Sequence, residues 1–338
     1  MNFRLSDYKV LDVRTTQKRE VIDYGVQMVG APLEWDETMG KGIKVGVIDT
    51  GIDIDHEDLK GKVKAYANFT TSDRNDIEDE NGHGTHVAGI IAAQRNNIGV
   101  VGVAPDVDLY IAKAFDKDGT AEFDSIRDSI EWMIEQDVHV INMSFSSQVS
   151  SREYQQIIQK AYRNNICLIC AAGNEGPASG GKGNTMGYPA KFDETIAVTA
   201  VDINKKRADF SSEGAEAEIA AAGKDILSCY KNNSYATLSG TSMATPIITG
   251  AVAILQAKGI RRYGRRLTPE EIRLLLHIYS EDLGEAGRDR SYGYGLFSFG
   301  RINKSDTVYN SAEPRYRRSG FIRSDLFLNI LLAGLILL

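Results

Sequence analysis

The sequence predicts an α/β protein with a mostly parallel central sheet flanked by helices. Three observations carry this. Apolar runs of strand length alternate with segments of helical periodicity along most of the chain, and that alternation implies βαβ units. Several runs end in glycine-rich turns holding a polar or ionisable residue, the strand-end position where open α/β sheets carry their chemistry. One segment, Thr245 to Lys258, has helix length and is apolar on nearly every side, as a helix buried in a large domain would be.

The elements follow in order. Residues 1–20 are polar and highly charged and read as an extension. Lys44-Val45-Gly46-Val47-Ile48 is a strand that runs into Asp49-Thr50-Gly51. Val87 to Ala93 is helix-compatible and follows Gly82-His83-Gly84-Thr85-His86. Leu109 to Phe115 reads as the next strand. Phe123 to Gln136 is apolar at 123, 126, 130, 133 and 134, a helical spacing. Val138 to Met143 is a strand, Tyr154 to Asn164 an amphipathic helix, and Ile166 to Ala171 and Ile196 to Val201 are strands. Thr268-Pro269-Glu270-Glu271 opens a last helix, with Thr at the cap, Pro in the first turn and Glu three residues on. The organisation is an extension (1–20), a main domain (21–302) and a tail (303–338) that is first basic, then apolar.

Length and composition set bounds. The chain has 338 residues, 42% hydrophobic and 25% charged, ordinary values for a soluble globular protein. A net charge of -7 argues against a nucleic-acid partner, which would need clustered Lys and Arg. Three cysteines do not make a disulfide framework. Cys167 and Cys170 form a C-x-x-C inside an apolar strand, where residues three apart face opposite ways, so they read as buried small hydrophobes. The first ten residues are charged and lack the apolar core of a secretory signal. With free thiols, this points to the cytoplasm. Leu326 to Leu338 is apolar except for Asn329, and Arg315, Arg317, Arg318 and Arg323 precede it. As helix it spans about 20 Å, short of the roughly 30 Å of a bilayer core. A membrane-contacting anchor and a docked terminal segment both remain open for it.

Four segments carry chemistry. Asp49, at the end of a buried strand in Ile48-Asp49-Thr50-Gly51, is suited to holding an imidazole N–H. His83, flanked by glycines at a helix start, is a base for neutral pH that backbone and substrate can approach closely. Ser242, in Gly240-Thr241-Ser242-Met243-Ala244-Thr245-Pro246, has its own N–H at a helix N-terminus, where a developing oxyanion is stabilised. Asn174, in Ala171-Ala172-Gly173-Asn174-Glu175-Gly176, offers a second donor for that oxyanion. Each segment alone is ambiguous. D-T-G also occurs in aspartic proteases, a Ser after Gly-Thr is commonly a helix cap, and His83-x-x-His86 lacks the H-E-x-x-H spacing of a zinc helix.

Taken together and in this order, D-T-G, H-G-T-H-V-A-G, A-A-G-N-E-G and G-T-S-M-A-T-P resemble the subtilisin family, from about Tyr24 to Phe297. The resemblance implies a three-layer fold and a serine endopeptidase acting on protein or peptide substrates. It implies Asp49, His83 and Ser242 as catalytic triad, Asn174 as oxyanion amide, and His86 as a structural neighbour. It implies a substrate bound as an added strand between Asp118-Gly119-Thr120-Ala121 and Ser144-Phe145-Ser146. The pocket floor for the residue before the cut then resembles Ala171-Ala172-Gly173 together with Gly187, and a glycine at 187 leaves room for a large apolar side chain. Phe115 and Phe123 would wall a more distant apolar pocket, and Glu175 would sit at the pocket mouth facing a basic side chain. One departure falls here: Ser146-Ser147 stand where many members have two glycines, which bears on specificity. Gln94 to Val100 resembles the family's calcium loop, implying structural Ca²⁺ bound by Glu20, Asp58, Asn96 and the carbonyls of Gln94, Ile98 and Val100. Finally, Phe3 to Lys9 resembles the extension of the intracellular members. In those it crosses the active site and inhibits until cut away, and the enzymes often dimerise. The Ile-Pro at that extension's centre is Ser6-Asp7 here. Against the endopeptidase stand a membrane-tethered processing protease of narrow specificity and a catalytically silent peptide-binding protein.

Overall fold

The computed structural model describes residues 2–5, 8–14, 19–181 and 183–302. The strands are β1 (Asn2–Arg4), β2 (Lys9–Arg14), β3 (Lys44–Asp49), β4 (Val63–Asn68), β5 (Asp108–Lys113), β6 (Thr120–Glu122), β7 (Val140–Met143), β8 (Cys167–Ala171), β9 (Ile196–Val201), β10 (Ile219–Ala222), β11 (Ile226–Tyr230), β12 (Ser234–Ser239), β13 (Ser280–Glu281) and β14 (Leu296–Phe297). The helices are α1 (Tyr24–Met28), α2 (His83–Ala92), α3 (Phe123–Glu135), α4 (Arg152–Arg163), α5 (Thr241–Tyr263), α6 (Pro269–Ile278) and α7 (Phe299–Ile302). The basic and apolar tail, 303–338, lies outside the described residues, as do Ser6 and Asp7.

Nine strands form the central sheet in the order β13-β14-β10-β9-β8-β7-β3-β5-β4. Every neighbouring pair is parallel except β13–β14. Both faces are covered over the middle of the sheet, so the central strands β3, β7, β8 and β9 are buried on both sides, while edge strand β4 exposes Lys64 and Tyr66. Val45 and Val47 of β3 join the core with α2 and α5, while Ile48 joins the core with α3 and α4. The same alternation puts Cys167 in the first core and Cys170 in the second, and both are buried free thiols. Burial pushes the Cys167 thiol up to about 12. The result is the expected three-layer α/β architecture.

Helix α5 starts four residues before the apolar run suggests, because the polar Thr241 and Ser242 already belong to its first turn. It is the one helix among the described residues long and apolar enough to cross a membrane, and 94% of its apolar window is buried in the core. Helix α6 has the expected capping box between Thr268 and Glu271. Two features go beyond the sequence pattern. Strands β11 and β12 form an antiparallel hairpin outside the main sheet, and residues of the extension are strands. Strand β2 adds to β12, and β1 pairs antiparallel with β6.

Candidate active site

The parallel sheet delivers Asp49 to the end of β3, where it is flanked by β5. Helix α2 begins at His83 and points that ring back at the strand end. His83 Nδ1 lies 2.7 Å from Asp49 Oδ1, both side chains fully buried. The Thr50 N–H donates to the same oxygen at 2.8 Å. The glycines around His83 have a steric cause. Gly82 has φ +104°, and a Cβ there would lie 2.4 Å from the Tyr230 ring. A Cβ at Gly84 would lie 2.2 Å from the Gly51 carbonyl, so only glycine lets α2 approach the end of β3 this closely.

Asp79, which no motif pointed to, holds these two segments together. Its buried carboxylate accepts from Thr50 Oγ1 (2.8 Å), Gly82 N (2.7 Å), Thr85 N (2.8 Å) and Thr85 Oγ1 (2.6 Å). It thus caps α2 from outside the helix, a role its place four residues before His83 suits. His86 is structural. Its Nε2 faces the carbonyls of Ile226 and Ala236, and burial lowers its pKa to about 3, so it is neutral.

Ser242 is the second residue of α5. The Thr241 N–H donates to Asn174 Oδ1 at 2.9 Å, and the Thr241 hydroxyl lies 2.9 Å from the same atom, which fixes the orientation of the Asn174 amide. Pro246 has no N–H, so the Ser242 carbonyl loses its helical partner four residues on. Ser144 Oγ replaces it, donating to that carbonyl at 3.0 Å. In return, Ser242 Oγ donates to the Ser144 carbonyl at 2.9 Å. His83 Nε2 has no hydrogen-bond partner among the described residues. The structure therefore shows the Asp–His pair made and the serine hydroxyl turned to its neighbour's backbone.

The predicted substrate strands are brought together, and the extension lies on them. Phe3 is opposite Ala121, Arg4 opposite Thr120, and Arg4 also bridges to Ser146. The Leu5 N–H donates to the Gly119 carbonyl at 2.8 Å. Phe3 is buried in one core with Phe115, Phe123, Phe145 and Tyr154, with its ring 5.2 Å from Tyr154 and 6.0 Å from Phe145. Tyr8 then stands over His83, ring centroids 4.9 Å apart, with its hydroxyl donating to Asn81 Oδ1 at 2.7 Å. Ala171, Ala172 and Gly173 follow one another at the end of β8, and Gly187 donates to the Ala172 carbonyl at 3.0 Å. Glu175 is folded back, accepting from Ser212 Oγ at 2.6 Å.

The loop of residues 94–100, predicted from the sequence to bind calcium, closes around its expected carboxylate. Asp58 is fully buried and accepts from Asn96 Nδ2 (2.9 Å) and Val100 N (2.8 Å). Gln94 N donates to the Asp58 carbonyl, Ile98 N to Asn96 Oδ1, and Asn97 N to Glu20 Oε2 at 2.8 Å. Two carboxylates and an amide oxygen at one tight loop are the hard donors that calcium takes. His56 and Cys229 lie near Asp58. However, His56 Nδ1 accepts from Asp58 N and Nε2 faces the Ser234 carbonyl, so that imidazole is spent on the backbone.

An Asp–His pair between a strand end and a helix start, with a serine at a second helix N-terminus beside an oriented amide, is the equipment of a serine hydrolase. Comparison with known proteins narrows the class. Residues 40–295 match the Subtilase family. An intracellular serine protease of Paenibacillus polymyxa is 39% identical over 302 residues, covering 88% of this chain and 92% of that protein. Subtilisin DY of Bacillus licheniformis is 41% identical over 280 residues, 82% and 97% of the two chains. Subtilisin E of Bacillus subtilis is 43% identical over 238 residues, 70% and 61%. The chain belongs to the subtilase family and is a serine endopeptidase.

Proposed function

We propose that this endopeptidase works through Asp49, His83 and Ser242, with Asn174 and the Ser242 N–H as oxyanion donors, and that its N-terminal extension holds it closed. The 2.7 Å contact between His83 Nδ1 and Asp49 Oδ1 carries the catalytic reading, because it fixes the ring with Nε2 available as base. The Ser242 hydroxyl swings from the Ser144 carbonyl to His83 Nε2 and gives up its proton as Oγ attacks the scissile carbonyl carbon. The oxyanion is held by Asn174 Nδ2 and the Ser242 N–H. His83 passes the proton to the leaving amine as the C–N bond breaks, and water releases the acyl group by the same steps in reverse.

The substrate lies where β1 lies now, between residues 119–121 and 144–146, with Gly187 flooring the pocket before the cut. Calcium is structural in this reading, held by Glu20, Asp58, Asn96 and the carbonyls of Gln94, Ile98 and Val100. A cytoplasmic site of action accords with the relative named as intracellular.

The test is covalent labelling with a small fluorophosphonate, followed by peptide mapping. Label on Ser242, lost in Ser242→Ala and in His83→Ala, is the expected result. Label elsewhere, or none once the extension has been displaced, would sink the assignment.

A further inference from the structure

Ser146 packs directly on Gly187, the residue assigned above to the floor of the pocket before the scissile bond. A Cβ on Gly187 would lie 2.8 Å from Ser146 Cβ and 3.2 Å from Ser146 Oγ, so the Ser146 side chain already rests against the glycine that floors the pocket. The two walls are tied to that floor as well. Ser147 and Tyr188 exchange both backbone hydrogen bonds, at 2.8 and 2.7 Å, and Gly187 N donates to the Ala172 carbonyl at 3.0 Å. Ser146 itself is buried. With glycine in its place, the two Ser146 side-chain contacts would go, and of the three nearest atoms only the Ser147 carbonyl oxygen, 3.1 Å away, would remain on that side of Gly187.

We propose that Ser146 restricts the residue before the cut to small side chains, alanine, serine or glycine, by filling the floor that a large apolar side chain would need. This rests on the reading that the substrate lies between residues 119–121 and 144–146. The sequence Phe3-Arg4-Leu5 seated there shows what the neighbouring positions accept: an aromatic side chain in the buried pocket, an exposed basic one, then a buried aliphatic one. In sequence the next residue is Ser6, itself small.

The test uses the full-length chain, unaltered and carrying Phe3→Asp with Leu5→Asp to unseat the extension. The substrates are acetyl-Phe-Arg-Leu-X p-nitroanilides, with X as Gly, Ala, Ser, Leu, Phe or Lys. One methylene in an apolar pocket is worth about tenfold to two-hundredfold in kcat/KM, so Ala and Ser are expected to exceed Leu and Phe by at least that lower figure. Ser146→Gly should raise the Phe and Leu substrates by about tenfold or more, while Ala changes far less. Ser146→Ala retains the Cβ and should retain the preference. Should Ser146→Gly misfold, Ser146→Val, which narrows the floor further, should shift the preference from Ala toward Gly. Equal use of Phe and Ala by the unaltered pocket, or an unchanged ratio in the variants, overturns the proposal. A chain that labels at Ser242 yet shows no preference loses only the pocket assignment. One that neither labels nor cleaves loses the catalytic reading with it.

Discussion

At Ser242 the backbone matters as much as the hydroxyl. Pro246 removes the N–H that would have bonded the Ser242 carbonyl, and Ser144 Oγ supplies the missing donor. Asn142 Nδ2 donates to Ser144 Oγ at 2.9 Å, and Thr249 Oγ1 donates to Asn142 Oδ1 at 2.9 Å, so one turn of α5 anchors another through β7. Ser144→Ala leaves a buried carbonyl without its donor, a cost of about 1–3 kcal/mol. The expected outcome is a lower Tm together with a fall in kcat and little change in KM, since the nucleophile and not the binding strand loses its hold. A change confined to KM would assign Ser144 to substrate binding alone. Asn174 sits on the other side of the same turn. Asn174→Ala should lower kcat by about 10²–10³-fold, the magnitude established for loss of the oxyanion-hole asparagine in subtilisin itself. Asp49, His83, Asn174 and Ser242 stood out in the sequence because each stands in a glycine-rich setting, and beside His83 the glycines have a steric cause. Asp79 and the Ser144–Pro246 coupling did not. Their partners are distant in sequence or belong to the backbone, and no local pattern records a hydrogen bond across 98 residues.

Among the elements, the sheet strands were legible from apolar runs and α3 and α4 from their periodicity. The extension was legible only through its resemblance, because charges at Arg4, Lys9, Asp12 and Arg14 mask its strand character. A strand that adds to an existing edge takes its stability from the edge's backbone groups and a few anchoring side chains, not from its own composition. Here the anchors are Phe3 and Leu5, both buried, and Tyr8 over His83. The β11–β12 hairpin is hidden for another reason. Its turn, Asn232-Asn233 with φ of +60° and +48°, is a hairpin signal, but small and polar residues dilute the flanking strands. The anchoring by Phe3 makes inhibition testable without cutting the chain. Burying one Phe is worth about 1.5–3 kcal/mol. Phe3→Asp therefore frees the groove by about tenfold to a hundredfold, and peptide hydrolysis should rise accordingly. Removing residues 1–19, which spares Glu20, should do the same. Unchanged activity in both would mean that β1 occupies the groove without restraining the enzyme.

The molecule as a whole is drawn together at the loop around Asp58, which closes onto the segments just after Asp49 and just after the helix that begins at His83. Glu20 enters from the end of the extension, and Val21 N donates to the Gly99 carbonyl at 2.9 Å. The loop itself follows α2, the helix that begins with His83. A buried carboxylate such as Asp58 is costly unless hydrogen bonds or a cation compensate it. The hydrogen bonds on the two Asp58 oxygens come from neutral amides, which leaves its negative charge unmatched by any cation among those contacts. Calcium binding to the native state alone would stabilise the fold by about 2.7 kcal/mol at a hundredfold excess over Kd. For a domain of this size each kcal/mol is worth roughly 2–4 °C in Tm. EDTA should therefore lower Tm by several degrees, excess Ca²⁺ should restore it, and Asp58→Asn should have a lower Tm that neither addition moves. Activity at low temperature should survive EDTA, because the loop holds α2 in place and touches no reacting atom. The same Tm in EDTA and in excess Ca²⁺ would show that the amides alone hold Asp58, and the loop would then be a structural turn without a metal.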